Sequence, residues 1–200
     1  MTFLKKTIGV AAGSIVAAAG LALVSAPASA EAQKKANCVV HLSQGGAIDC
    51  YATFTEAMRD ATNGRVTDAP KNARDAIKDA TLTRRVNAAA AKKGAARAAA
   101  GGTAIGVELE HNIGTLGGRS WTVEADYGCD GNLAGHDWEV RDLGDSWWND
   151  EISGATAYGH CWVRHFEHHE FGGRSSGWAR FNVNLTDVGM NDMTSSIQWS

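Results

Sequence analysis

The C-terminal half of this chain repeats itself. "LEHNIGTLGGRS" (109–120) returns as "FEHHEFGGRS" (166–175), and "DLGDSWWNDEISGA" (142–155) returns as "NLTDVGMNDMTSSI" (184–197). Taken in order, Glu110 matches Glu167, His111 matches His168, Gly118 matches Gly173, and Asn149-Asp150 matches Asn191-Asp192. One copy of a supersecondary unit cannot bury its apolar side alone, so two copies are expected to pack face to face. The repeat places these units at 105–157 and 158–200 of one domain, 105–200.

The period inside that domain is two. Trp121, Val123 and Ala125 alternate with Thr122, Glu124 and Asp126; Phe181, Val183 and Leu185 alternate with Arg180, Asn182 and Asn184; Ile197 and Trp199 alternate with polar neighbours. Alternation of this kind marks half-buried antiparallel strands, and the turn spacing predicts an all-β, two-sheet sandwich. Trp121, Trp138, Trp162 and Trp199 are expected in its core. Trp147-Trp148, adjacent in a loop, are the aromatics best placed to meet a carbohydrate.

The first segment reads as a leader. Lys5 and Lys6 precede an apolar run (8–24), and "APASA" ends at Ala30, the order of a secretory signal peptide over 1–30. Export permits disulfides, and the four cysteines allow three pairings. Cys38 with Cys50 closes a short loop, which favours that pair and leaves Cys129 with Cys161 to join the two units.

Composition changes sharply near "AAAGGTAIG" (98–106). Residues 31–104 hold 12 Lys and Arg against 7 Asp and Glu; residues 105–200 hold 5 Arg, no Lys and 15 Asp and Glu. An acidic module argues against nucleic acid as partner and agrees with binding a cation. Upstream, "CVVHLSQGGAIDCY" predicts a hairpin turned at Gly45-Gly46, and "TFTEAMRDA" a short helix capped by Thr53 or Thr55, with Phe54, Ala57, Met58 and Ala61 on one face. Residues 31–69 are thus expected as a small disulfide-closed segment. Residues 70–104 are alanine-rich and basic, with only Ile77, Leu82 and Val86 as large aliphatics, which predicts a helix or linker of little burial.

The chemistry concentrates in two loops, "NDEISG" (149–154) and "NDMTSS" (191–196). Each offers carboxylate, amide and hydroxyl oxygens within six residues, a donor set suited to calcium (Ca2+), and neither contains sulfur or imidazole. The loop pattern N/D-N/D-x-x-S/T-S, met at all its specified positions by "NDMTSS", and the hairpin "FEHHEFGG" resemble the βγ-crystallin domain of the microbial calcium-binding branch. The resemblance covers about half the chain. It implies two Greek-key motifs in a βγ-crystallin-like sandwich with one or two calcium ions between the loops. Carried over by position, it implies side-chain ligands Asp150, Ser153, Asp192 and Ser195, with backbone carbonyls of Glu151, Met193, Gly114 and His169. "NDEISG" departs from the pattern, because Gly154 stands where a loop-bracing hydroxyl is expected.

Other chemistries find less support. "HHEFGG" lacks the second histidine of H-E-x-x-H, no G-x-S-x-G elbow occurs, and His168 and His169 would point to opposite faces of a strand. The expectation is a secreted, non-enzymatic calcium-binding protein with no membrane attachment once the signal is removed. Relatives of the same fold suggest two alternatives, a metalloproteinase inhibitor or a killer-toxin-like protein, with the stretch around Cys129 as the inhibitory loop. A cell-wall or carbohydrate-binding module is a third reading, so an extracellular protease or a wall polymer is the expected partner.

Overall fold

A computed structural model describes residues 36–93, 102–110, 118–181 and 183–200. The signal-peptide expectation and the Gly114 ligand fall outside these residues.

The repeat becomes two interlocked four-strand units. In the first, β3 (Thr103–Leu109), β4 (Ser120–Ala125) and β6 (Gly154–Ala157) lie together, while β5 (Trp138–Val140) crosses to the other sheet. In the second, β7 (Val163–Phe166) and β9 (Ser196–Trp199) lie together, while β8 (Val183–Asn184) pairs with β6 of the first unit. Single bridges, Val163 to Ala179 and Phe166 to Ser175, continue the second sheet beyond β7. Each unit therefore lends its third strand to its neighbour, and neither sheet closes without both copies. The paired motifs form the two-sheet sandwich that the resemblance implies.

The N-terminal segment forms part of the same body. β1 (Asn37–His41) and β2 (Ala47–Tyr51) make the expected hairpin, turned through Gly45 and Gly46 at φ of 70° and 87° and stapled by Cys38–Cys50. β1 also pairs in parallel with β4, so the hairpin extends one sheet to β2-β1-β4-β3-β6-β8; the other sheet is β5-β9-β7. The disulfide-closed segment expected over 31–69 thus joins the sheet of the C-terminal domain.

Three helices cover the outer face of the long sheet. α1 (Phe54–Ala61) starts at Thr53, whose side chain and Glu56 form a reciprocal capping box, and its predicted face of Phe54, Ala57, Met58 and Ala61 is fully buried. α2 (Ala73–Ala76) and α3 (Ala80–Ala89) follow, capped by Asn72 and Asp79. The thin apolar stripe of Ile77, Leu82 and Val86 is buried against Val39, Val107, Leu109 and Tyr158. The tether expected over 70–104 is thus a packed cover up to about Ala91, because a sheet face was there to receive it.

Two layers of core result. Between the sheets lie Val40, Ile105, Trp121, Val123, Trp148, Val163, Ile197 and Trp199; between sheet and helices lies the second cluster. Burial of both faces overrides the alternation in β3 and β4, whose polar residues Glu108, Thr122 and Glu124 are as buried as their apolar neighbours. Each buried carboxylate finds a partner. Glu108 meets His165 of the opposite sheet at 2.9 Å, and Glu124 accepts from Ser43 Oγ at 2.6 Å and faces His41 Nδ1 at 3.2 Å. Phe181, expected inside, is 50% exposed. Cys129–Cys161 forms the second disulfide, the pairing favoured by the first.

Candidate metal centre

The two acidic loops face each other across the junction of the units. Asp150 N–H donates to the Thr194 carbonyl at 3.1 Å, and Asp192 N–H donates to the Ile152 carbonyl at 3.1 Å. Ser153 N–H donates to the Leu109 carbonyl and Ser195 N–H to the Phe166 carbonyl, both at 2.9 Å. The backbone thus repeats the pseudo-twofold relation that the sequence shows. Asp150 and Asp192 occupy the left-handed region at φ of 57° and 52°, a conformation that Asp tolerates better than most residues.

The hairpins are braced in the same paired way. Glu110 accepts from Arg119 N at 2.8 Å and Glu167 from Arg174 N at 3.1 Å, while Glu110 N and Glu167 N donate back to the carbonyls of Arg119 and Arg174. Gly118 and Gly173 open these turns at φ of 91° and 72°. A side chain at Gly173 would meet the His168 ring at 2.9 Å.

Oxygens from both units converge beside Ser153. Its Oγ lies 2.6 Å from Asp192 Oδ1 and 3.0 Å from the Glu110 carbonyl. One hydroxyl proton serves two acceptors here. Ser153 is 2% exposed, whereas the Asp192 carboxylate lies at the surface, where it can meet water or an ion. The donor set is hard, all oxygen, and partly anionic, and it fits calcium. No group of three His, Cys, Asp or Glu side chains stands together as a metal cluster among the described residues. Carbonyl and hydroxyl oxygens therefore have to complete any such site.

Of the expected ligands, Ser153 and Asp192 are brought together directly. Asp150, Glu151, Met193 and Ser195 lie in the facing loops; Asp150 and Glu151 are exposed, and Asp150 Oδ2 accepts from Asn149 Nδ2 at 2.8 Å. The His169 carbonyl accepts Gly172 N–H at 3.2 Å in a tight turn. Two hairpin carbonyls reach loop hydroxyls, Glu110 to Ser153 Oγ at 3.0 Å and His168 to Ser196 Oγ. The matched Glu110/Glu167 and His111/His168 positions of the repeat were the available signal for this. The two loops also differ as the sequence suggested. Ser196 Oγ donates to the His168 carbonyl at 2.6 Å and accepts from Phe171 N–H at 3.1 Å, a brace that Gly154 cannot supply.

The aromatic pair does not form an open platform. Trp148 is fully buried and stacks on Trp121 at 5.4 Å, and the Arg119 guanidinium covers Trp147 at 3.4 Å.

No family model matches the chain, and no curated protein does. Three solved structures are similar over 48% of it. A domain studied for the evolution of the eye-lens βγ-crystallin fold is 21% identical, covered over 85% of its length, with a TM-score of 0.37. A βγ-crystallin from an archaeon is 22% identical, covered over 98%, with a TM-score of 0.35. A βγ-crystallin from Ciona intestinalis is 20% identical, covered over 98%, with a TM-score of 0.34. The exchange of β5 and β8, rather than these low scores, gives residues 102–200 a βγ-crystallin-like fold.

Proposed function

We propose that the protein is a non-enzymatic calcium binder of an oxidising, extracytoplasmic compartment, with one or two ions held between its paired loops. The observation that carries this reading is the convergence of Ser153 Oγ, Asp192 Oδ1 and the Glu110 carbonyl at 2.6 and 3.0 Å. A bound calcium ion would supply the positive charge that these oxygens lack. The residues do the rest: Asp192 bridges from unit two to unit one, and the reciprocal loop hydrogen bonds fix the spacing. Binding is thereby coupled to assembly of the two units. Two disulfides and no free cysteine among the described residues support an oxidising compartment. No helix of the described residues is long and apolar enough to cross a membrane.

Calorimetric titration with calcium tests the reading. Wild-type chain is expected to release heat at one or two ions per chain, and Ser153→Ala and Asp192→Ala to weaken the site at least about ten-fold. An absence of heat for folded wild type would reduce the loops to ordinary turns.

The loop after Cys129 supports a second reading, proteinase inhibition. It is pinned by Cys129–Cys161 and by Ser200 Oγ donating to the Asn132 carbonyl at 2.6 Å, and it displays Leu133 at 41% exposure. A braced loop with an exposed apolar tip is what a protease cleft could hold. Assays against a metalloproteinase such as thermolysin, with Leu133→Asp as control, distinguish it from the calcium reading.

A further inference from the structure

A cleft of about 640 Å³ opens between the added hairpin and β5; two of its lining residues, Leu143 and Ser146, hydrogen-bond to Ser195 and Asn149 of the acidic loops. All three residues of β5, Trp138, Glu139 and Val140, line it. Successive side chains of a strand point to opposite faces, so a space touching three in a row runs along the strand's edge. β5 is the outer strand of its sheet and pairs only with β9 among the described residues. The cleft therefore borders a free strand edge, with backbone donors and acceptors available for pairing.

The facing wall is apolar. Val40, Leu42 and Ile48 of the hairpin form it, and Ile48 is 49% exposed. Trp121 and Ser146 also line the cleft, and the Trp121 indole N–H and the Ser146 hydroxyl are buried without a hydrogen-bond partner. Asp137, Glu139 and Asp142 belong to the lining, and no Lys or Arg does; His136, also in the lining, pairs with Glu139 at 2.5 Å, and the Asp137 carboxylate is buried and accepts from Asp130 N–H. Lys93 and Arg141 answer Asp137 and Glu139 from outside at 3.1 and 2.6 Å. Arg141 is shared with Glu170, however, and Asp142 makes no ion pair among the described residues.

We infer that this cleft receives an extended basic and apolar segment of another protein, which adds as a strand to the free edge of β5. Main-chain hydrogen bonds to β5 hold the segment, as in other cases of strand addition. Its apolar side chains lie against Val40, Leu42 and Ile48, and its Lys or Arg side chains meet Asp142 and the rim at Glu139. A sugar is the less suitable occupant because neither tryptophan offers an open face. Trp121 is 3% exposed, and Trp138 packs on Tyr127 at 4.6 Å with its N–H donated to the Tyr127 carbonyl.

The test is selection of a random dodecapeptide library on the full chain, followed by affinity measurement for resynthesised peptides. Enriched peptides are expected to alternate Lys or Arg with apolar residues. Ile48→Lys, a change at an exposed edge-strand position whose folding is checked by melting, is expected to weaken them about ten-fold or more. N-methylation of alternate peptide amides is expected to do the same, because it removes strand hydrogen bonds. Absence of enrichment, acidic peptides, or binding indifferent to both Ile48→Lys and N-methylation would overturn the inference. So would displacement of the peptides by soluble chitin oligomers or muropeptides.

Discussion

His41 shows what a single residue does in this fold. It is 4% exposed, its Nδ1 stands 3.2 Å from buried Glu124, and its Nε2 stands 3.0 Å from Asp60 of α1. One side chain thereby ties the added hairpin to β4 on one side and to the helical layer on the other. His41→Ala leaves Glu124 buried without that partner and is expected to cost about 3–5 kcal/mol, read as a fall in urea midpoint. Tyr51, in the same cluster, has its phenol pushed up from 10.0 to about 12 by burial and then by Asp60. Burial also raises Tyr158. A raised folded value means that the native state holds the proton while the unfolded chain releases it. The stability from these tyrosines is full below pH 10 and drains away as pH rises toward 12. Melting followed from pH 9 to 12 is expected to show this decline, and Tyr51→Phe to make it shallower. The residue scale was only partly legible in the sequence. The loop oxygens were readable because they repeat, whereas His41, Glu108 and Glu124 carried no sign that both faces of their strands would be covered.

The elements divide along the same line. The hairpin and α1 were legible because their signals are local: paired glycines, matched cysteines, a capping threonine and a four-residue apolar face. Thr53→Ala removes the capping box and is expected to destabilise by about 1 kcal/mol, measurable as a small drop in chemical-denaturation midpoint. The parallel pairing of β1 with β4 was not legible, because Asn37 and Ser120 lie far apart in the chain and share no local pattern. The helices over 73–89 were underestimated for a related reason. Three large aliphatics are few for a free helix but suffice where small alanines let the backbone approach a sheet closely.

At the scale of the whole molecule, two chain-specific layers surround a common sandwich. The hairpin lengthens one sheet and the helices close its outer face, so Val39, Val107, Leu109 and Tyr158 are buried only in their presence. A fragment restricted to 102–200 is therefore expected to aggregate or melt without cooperativity; size-exclusion chromatography and circular dichroism would show it. The repeat foretold two packed units, but carried no sign that β5 and β8 would cross between the sheets. Calcium is expected to bind the assembled pair of loops and not the unfolded chain. Melting temperature in calcium and in EDTA, for wild type and Asp192→Ala, tests it most directly. At tenfold excess over the dissociation constant one site adds about 1.4 kcal/mol, a rise of about 3–6 °C for a chain of this size. That rise is expected in wild type, and its loss in Asp192→Ala. Equal melting temperatures of wild type with and without calcium would contradict it.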